Sequence, residues 1–394
     1  MERTKDFSGR SGSPSSKARV QKIRKKKAKK YKEVDFTLLA VTVALVLFGL
    51  LMVYSASSYE NIVRGRESYT DVIRQGFFAA AGLFIMIFVV SNFDYHFMTM
   101  SRTKLLVFVV LVLNVAVILF EPVKGASRWL RFGSLSLQPS ELAKFTMVLY
   151  AANTLKRLDL LKGKKKWKPT IRVFVMMIVF AGIVVILQSN LSIGAIIVIT
   201  SLILIFLAGG TFLQLFTYVS IGISGLGILL WIEPYRMARL LNFGDPFKEA
   251  QGAGHQLVQS LYALTSGGVF GQGIGMSRLK AFWLPEAQND FIFAVIVEEL
   301  GLIGGLFLML LLLILIYRGI RISIEAKDQF GRLLAVGITA IFALQSFINI
   351  AVVIGAFPVT GVTLPFISAG GTSLVVNLVA VGVLLNISRQ SKSV

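Results

Sequence analysis

Long uninterrupted blocks of apolar residues constrain the fold of this chain more than any other feature of its sequence. Four of the blocks cover 36–54, 105–120, 171–187 and 302–317. Each is close to the roughly 20 residues that a helix needs to cross the hydrocarbon core of a bilayer. An open sheet would leave backbone N–H and C=O groups unpaired in lipid, so helices are the expected crossing elements. The sequence therefore predicts an all-α polytopic membrane protein.

The hydropathy pattern predicts about ten transmembrane helices. Their expected ranges are 36–54, 76–92, 105–121, 141–155, 171–187, 193–208, 211–231, 291–317, 333–354 and 367–387. The chain is thereby divided into a basic tail over 1–35, a ten-helix domain over 36–388 and a short C-terminus over 389–394. A long loop, 232–290, separates the seventh and eighth helices. Loops of that length usually carry function.

The net charge of +21 could suggest nucleic-acid binding, but the basic residues follow the pattern of membrane topology. Most of the 41 lysines and arginines fall in the tail and in the loops on the same side as the tail, as the positive-inside rule requires. We therefore expect a cytoplasmic membrane protein with both termini in the cytoplasm and no nucleic-acid partner. The tail is expected to be disordered and attracted to anionic lipid.

The residue types that carry chemistry are limited. The chain has no cysteine and two histidines, which excludes disulfides, thiol nucleophiles and metal sites built on Cys or His. Carboxylates and cations are left as the groups that could act on a substrate.

One group of candidate residues surrounds the predicted start of the fourth helix. The segment contains Gln138, Ser140, Glu141 and Lys144 and follows Arg128 in the same external loop. Ser140 is expected to cap the helix. Glu141 and Lys144 would then lie one turn apart on one face. The spacing is compatible with a helix-end ion pair and with a ligand site, because ionisable groups at membrane depth are often functional.

A second group lies at the end of the long loop. The glycine-rich stretch 267–275 could be a phosphate cradle or simply closely packed backbone. Asp290 stands at the mouth of the eighth helix, where it could cap the helix or act chemically. Glu298 and Glu299 follow two turns later and could pair with a neighbouring helix or line an ion route.

Five motifs occur in order along the chain. They are Gly-Ala-Ser-Arg-Trp at 125–129, Gln-Pro-Ser-Glu-Leu-Ala-Lys at 138–144, Ser-Gly-Gly-Val-Phe-Gly at 266–271, Leu-Pro-Glu-Ala-Gln-Asn-Asp-Phe-Ile-Phe at 284–293 and the loop 357–371. With these motifs the chain resembles the SEDS family of bacteria, the shape, elongation, division and sporulation proteins, over about 35–389. The segment 361–365 is more similar to the FtsW and SpoVE branch than to the related RodA branch.

The resemblance implies a peptidoglycan glycosyltransferase that polymerises lipid II on the outer face of the cytoplasmic membrane during division or sporulation. It also implies a class B penicillin-binding protein, a transpeptidase, as partner, together with other division or sporulation membrane proteins. The essential acid of the family falls on Asp290, and its conserved Arg and Glu-x-x-Lys positions fall on Arg128, Glu141 and Lys144. Two further candidate substrate contacts within the shared motifs are Gln138 and Glu286.

The implied reaction needs a base and cations. An acceptor 4-hydroxyl attacks an anomeric carbon whose leaving group, undecaprenyl pyrophosphate, already departs readily, so a second acid is dispensable. We expect Asp290 to be the general base and Arg128 and Lys144 to face the pyrophosphate. A divalent cation, Mg²⁺ or Mn²⁺, is an additional candidate. A single displacement would invert the anomeric centre.

The alternative function is a lipid II flippase. Buried acids such as Glu298 and Glu299, and a break in the helices near 188–192, would suit a transporter. The absence of internal repeats weighs against it. The segment 188–194 also lacks the acidic Pro-Asp-x-Gly pattern of many SEDS proteins, so no role for an acid is carried over to it. A scaffold that only recruits partners would leave the external motifs unexplained.

Overall fold

The computed structural model describes residues 33–122, 127–133, 135–232, 247, 254–280 and 287–391. Within these residues, ten helices form the predicted membrane domain. They are α1 (Phe36–Val63), α2 (Thr70–Phe84), α3 (Met100–Ala116), α4 (Pro139–Leu155), α5 (Trp167–Gly182), α6 (Leu191–Leu207), α7 (Phe212–Ile232), α9 (Ile292–Glu325), α10 (Gln329–Val353) and α11 (Gly371–Arg389). Single π-helical turns, Ile85–Val89 and Ile183–Leu187, extend α2 and α5.

Length and composition would allow eight of the described helices to cross a membrane. The helix α6 is apolar but shorter, and α4 carries Glu141 and Lys144 inside its first turns. The ten-helix prediction is confirmed, although several boundaries were wrong. For example, α1 continues to Val63, and α9 runs to Glu325. Helices extend beyond the apolar core because their ends can be polar, which hydropathy does not detect.

Two elements were not predicted. The helix α8 (His255–Gly267) lies within the long loop. The short antiparallel strands β1 (Leu130–Phe132) and β2 (Leu135–Leu137) form a hairpin just before α4. The predicted tail lies almost wholly outside the described residues, so its disorder stays a prediction.

Packing separates helices at the centre of the bundle from helices at its edge. In α10 and α11, most of the residues in the most apolar window are buried. In α7, by contrast, the buried residues are Gln214 and Tyr218, so that most of its apolar surface is free to face lipid. Close helix approach in the centre depends on small residues. A Cβ atom on Gly337 of α10 would lie 2.4 Å from a methyl group of Val148 on α4.

The two ends of the bundle are named here after Asp35 and Asp290. Asp35 caps α1 by accepting a hydrogen bond from the Leu38 amide at 3.0 Å and forms an ion pair with Arg318 near the end of α9. The start of α9 follows Asp290 directly. The beginning of α1 and the end of α9 therefore share the Asp35 end, and Asp290 lies at the other.

A polar cluster at the Asp35 end joins two loops. Asp328 caps α10, accepting from the Gly331 amide at 3.0 Å, and also binds the Tyr95 hydroxyl and, at 3.1 Å, the Nε2 atom of His96. Burial alone would raise the pKa of Asp328. The hydrogen bonds from Tyr95 and Gly331, together with His96, outweigh burial and hold the pKa below its ordinary value.

The helix α9 is broken at Gly301, and the glycine-rich stretch 267–275 packs into the break. Gly301 has φ of 70°, outside the helical range. The amides of Gln272 and Gly273 donate to the carbonyl oxygens of Glu298 and Glu299 at 3.0 and 2.9 Å. A Cβ atom on Gly301 would lie 2.2 Å from a carbonyl oxygen of the stretch. Of the two interpretations of these glycines, close backbone packing is the one observed.

Candidate active site

The turn that carries Asp290 is held by three donors from other segments. The carbonyl oxygens of three consecutive residues, 288–290, each accept one hydrogen bond. The donors are the Ala369 amide at 2.9 Å, the Ser368 hydroxyl at 2.6 Å and the Asn349 side-chain amide at 2.7 Å. Asn349 also donates to the Val362 carbonyl at 2.7 Å. The backbone before α9 is therefore fixed to α10 and to the loop that precedes α11.

Asp290 is not the cap of α9. The N-cap residue is Phe291, and no side-chain capping bond is made there. Instead, the carboxylate of Asp290 faces Gly361. A Cβ atom on Gly361 would lie 3.4 Å from Asp290 Oδ2 and 3.9 Å from one terminal nitrogen, NH1, of Arg128. The acid and the guanidinium thus approach the same small space, which a side chain at position 361 would narrow.

Arg128 is anchored to the break between α5 and α6. Its Nε donates to the Gln188 carbonyl at 2.9 Å, and its NH2 group donates to the Ser189 carbonyl at 2.7 Å. The Gln188 side chain donates in turn to Asn114 Oδ1 at 2.8 Å. Nε and NH2 of the guanidinium thus bind backbone carbonyl groups, while NH1 lies beside Gly361, as the carboxylate of Asp290 does. The segment 188–194, in which the sequence has no acidic residue, binds Arg128 through its backbone carbonyl groups.

Glu141 and Lys144 form a buried pair in the first turns of α4. Lys144 Nζ lies 2.9 Å from Glu141 Oε2, and both side chains are almost completely buried. The contact is an ion pair by distance, but its angle is too bent for a hydrogen bond, and neither atom has another partner among the described residues. Both interpretations of the motif remain compatible with this geometry.

The start of α4 differs from the prediction. The helix begins at Pro139, its N-cap is Gln138, and Ser140 lies inside the first turn without a capping bond. Proline favours the first helical position because its φ is already helical and it has no N–H to satisfy. Gln138 positions the helix through its backbone, since its amide donates to Thr372 Oγ1 at 3.4 Å. Glu286 lies outside the described residues.

Several buried polar atoms in this region have no hydrogen-bond partner within the part of the chain that the structure describes. They are Ser140 Oγ, Glu141 Oε2, Lys144 Nζ, Gln188 Oε1 and Asn349 Oδ1. Buried polar atoms in folded proteins normally have partners. Asn114 connects this group to Arg128, because it also donates to the Pro139 carbonyl at 3.2 Å. The interior next to Arg128 therefore has capacity to bind water, an ion or a substrate group.

Glu298 and Glu299 belong to a separate buried cluster. Glu299 accepts from Lys280 Nζ at 2.6 Å and from the Ser55 hydroxyl of α1. Glu298 accepts from the Ser277 hydroxyl and the amide that follows it, at 3.0 Å. The predicted pairing of these acids with a neighbouring helix is correct for Glu299, which binds Ser55 of α1. The charged partner, Lys280, comes from the long loop, and no periodic signal in the sequence identified it.

Comparisons with known proteins show which family the chain resembles. A profile of the cell cycle protein family of FtsW, RodA and SpoVE matches residues 36–393. Stage V sporulation protein E of Bacillus subtilis is 41% identical over 362 residues, 91% of this chain and 98% of that protein. The probable peptidoglycan glycosyltransferase FtsW of Geobacter sp. is 38% identical over 91% of this chain and 97% of that protein.

Solved structures show the same fold at lower identity. A chain of a peptidoglycan synthase complex that coordinates polymerization and crosslinking superposes with a TM-score of 0.71 at 23% identity, covering 90% of this chain and 98% of that chain. The rod shape determining protein RodA of Thermus thermophilus gives a TM-score of 0.67 at 22% identity, covering 91% and 98%.

Proposed function

The chain belongs to the FtsW, RodA and SpoVE family of cell cycle proteins, and from that premise we propose that it polymerises lipid II with Asp290 as the general base. Relatives named peptidoglycan glycosyltransferase match over nearly their whole length. The chain is accordingly a peptidoglycan glycosyltransferase. The observation that supports Asp290 as the base is its carboxylate, held on a fixed turn and directed at the same space as Arg128.

In the proposed reaction, Asp290 accepts the proton of the acceptor 4-hydroxyl while the hydroxyl oxygen attacks the anomeric carbon of the donor. The bond between that carbon and the pyrophosphate oxygen breaks, and the pyrophosphate leaves with the electron pair. Attack from the face opposite the leaving group inverts the centre. A fixed turn is suited to this role because a base must stay within hydrogen-bond reach of the proton that it removes.

We propose that the cations stabilise the negative charge that develops on the leaving group. Arg128 offers its NH1 end, while its other two donors fix its orientation. Preorganised positive charge of this kind stabilises a transition state without reorganisation. Lys144 is buried and would bind a pyrophosphate oxygen in place of its bent contact with Glu141. Gln138 and Glu286 stay candidate substrate contacts.

A divalent cation is compatible with this site. The described residues contain no group of three or more His, Cys, Asp or Glu side chains that could hold a metal. Mg²⁺ is commonly bound by one or two carboxylates together with phosphate oxygens. Asp290 or Glu141 would therefore hold Mg²⁺ or Mn²⁺ only jointly with the pyrophosphate, whose charge the cation would neutralise.

We further propose that the Asp290 end faces the outside of the cytoplasmic membrane and that both termini are cytoplasmic. The excess of basic residues in the tail and in the loops of the Asp35 end supports this orientation. The similar chain from a complex that coordinates polymerization and crosslinking supports a crosslinking partner, which we infer to be a class B penicillin-binding protein.

The flippase alternative receives less support from the buried acids. Glu298 and Glu299 are bound by Lys280, Ser277 and Ser55, so they form a closed cluster instead of a chain of sites along a route. Purified protein in detergent discriminates the two functions. Polymer that forms without vesicles cannot result from transport alone.

The test of the proposed base is Asp290→Asn, assayed as lipid II polymerisation by the purified protein with its penicillin-binding partner. An amide cannot take the proton, so the rate should fall by roughly 10²-fold or more. Glu67→Gln, an exposed acid at the same end, is the matched control and should retain full activity. Polymerisation by Asp290→Asn at the wild-type rate would show that the mechanism is wrong.

A further inference from the structure

A polar cavity of about 200 Å³ lies beside the turn that carries Asp290. Four segments contribute to its wall: the first turns of α2, the hairpin, the turn before α9 and the start of α11. The lining residues with the relevant chemistry are Asp71, Arg74, Trp129, Gln288 and Asn289. Nothing in the reaction described above uses these side chains.

The cavity adjoins the reacting groups because two segments contribute to both. Trp129 lines the cavity, and its neighbour Arg128 faces Gly361. Asn289 lines the cavity, and its neighbour Asp290 faces Gly361 as well. Consecutive Cα atoms are only about 3.8 Å apart. The wall of the cavity therefore continues along the backbone directly into the two residues that carry the proposed base and Arg128.

Hydrogen bonds fix the wall of the cavity. Arg74 donates to the Ser136 hydroxyl at 3.2 Å, and Asp71 accepts from the Asn61 side chain at 3.0 Å. The buried Gln75 bridges the loop before α11, donating to the Ser368 carbonyl at 3.3 Å. Ser368 is also the residue that holds the carbonyl of Asn289. The cavity and the Asp290 turn thus share one supporting network.

The chemistry of the wall fits a sugar ring. An indole offers an apolar face for the C–H face of a pyranose, while carboxylate, guanidinium and amide groups can bind hydroxyl and N-acetyl groups. A pyrophosphate would be disfavoured by the carboxylate of Asp71. A lipid chain would find better surroundings in the apolar groove of about 440 Å³ that Phe293 and Met309 help to line. The polar cavity is also smaller than the roughly 300–1,000 Å³ of sites for drug-sized ligands, which suits a single ring.

We propose that this cavity is the acceptor subsite, which holds the terminal N-acetylated sugar ring of the acceptor with its 4-hydroxyl directed at Asp290. The proposal rests on the proposed function, because only a glycan-forming reaction requires an acceptor sugar beside the base. The acceptor is preferred over the donor because the base must touch the acceptor hydroxyl, whereas the donor brings the pyrophosphate that faces Arg128.

The probe is a soluble N-acetylglucosamine–N-acetylmuramic acid disaccharide without lipid or pyrophosphate. Its binding to full-length protein in detergent is measured by saturation-transfer NMR in the Asp290→Asn background, so that no turnover is needed. Trp129→Ala should weaken binding roughly tenfold, and Trp129→Phe should retain most of it because the stacking face remains. Trp231→Ala removes an exposed indole of α7 and serves as the matched control, with unchanged binding.

The exposed Arg74 provides a second variant that should fold normally. Arg74→Gln should also weaken disaccharide binding, and in protein with Asp290 intact it should raise the KM for lipid II more than it lowers kcat. The acceptor-subsite proposal would be overturned if Trp129→Ala and Arg74→Gln both bind the disaccharide with the affinity of the parent protein, or if the parent protein does not bind it. If Asp290 is not the base, Asp290→Asn will polymerise lipid II at the normal rate. That outcome is separate from the binding measurement and does not affect it.

Discussion

Loss of the Lys280 charge should destabilise the protein far more than loss of the whole ion pair to which it belongs. Lys280 Nζ lies 2.6 Å from Glu299 Oε1 and 3.1 Å from the Ser55 hydroxyl. The side chains of Lys280 and Glu299 are 5% and 0% exposed. In Lys280→Met, the carboxylate would stay buried, and among the described residues the Ser55 hydroxyl and the Ser277 amide would be its remaining donors.

The magnitude follows from that burial. Removal of one partner of a buried pair leaves an uncompensated charge, which costs roughly 3–5 kcal/mol of unfolding free energy. The double variant Lys280→Met with Glu299→Gln contains no buried charge, and the glutamine oxygen can still accept from Ser55. It should recover most of the loss, so that the effects of the single variants are strongly non-additive.

The assay is equilibrium unfolding of the purified variants in mixed micelles, analysed as a double-mutant cycle. The control is the pair of the exposed Arg321 and the partly exposed Glu325 near the other end of α9, whose charged atoms are 3.2 Å apart. Arg321→Met should change the unfolding free energy far less than Lys280→Met, because an ion pair at the surface is screened by solvent. A Lys280→Met variant as stable as this control, or a double variant as unstable as the sum of its parts, would refute the reasoning.

Three further predictions concern the site, the Asp35 end and the topology. Arg128→Lys should lower lipid II polymerisation roughly tenfold or more in a folded protein, because one ammonium cannot bridge two carbonyl groups and also face the acid; an unchanged rate would contradict this. Asp328→Asn should reduce the unfolding free energy at pH 7 but not at low pH. The pKa of Asp328 is lowered in the fold, so its contribution is present above the ordinary value of about 4 and disappears as the pH falls through the lowered value; a difference that persists at acidic pH would contradict it. In this cysteine-free chain, Glu67→Cys should react with an impermeant thiol reagent in intact cells and Leu160→Cys should not, and the reverse pattern would invert the proposed orientation.

The sequence alone was sufficient for the membrane fold and for the ten helices of the membrane domain. Blocks of apolar residues report directly on segments that can lie in lipid, whatever their neighbours are. It was insufficient for α8, because a 13-residue helix in a long loop needs no apolar block. It also misplaced the start of α4, since Ser140 and Pro139 both carry a helix-start signal and proline at the first position prevailed.

The motifs identified Asp290 and Arg128 as candidates, but only the tertiary structure decided what surrounds them. The local sequence cannot distinguish a helix cap from a catalytic base, because Asp290 precedes the helix in either case. The structure shows that Asp290 does not cap α9. Its surroundings are Gly361, Asn349 and Arg128, which lie far away in the chain and meet at the Asp290 end. The partner of Glu299 was hidden for the same reason, because Lys280 reaches it from a loop. Local sequence determines which segments become helices, whereas long-range packing determines which loops meet. The proposed active site of this protein lies where the loops meet.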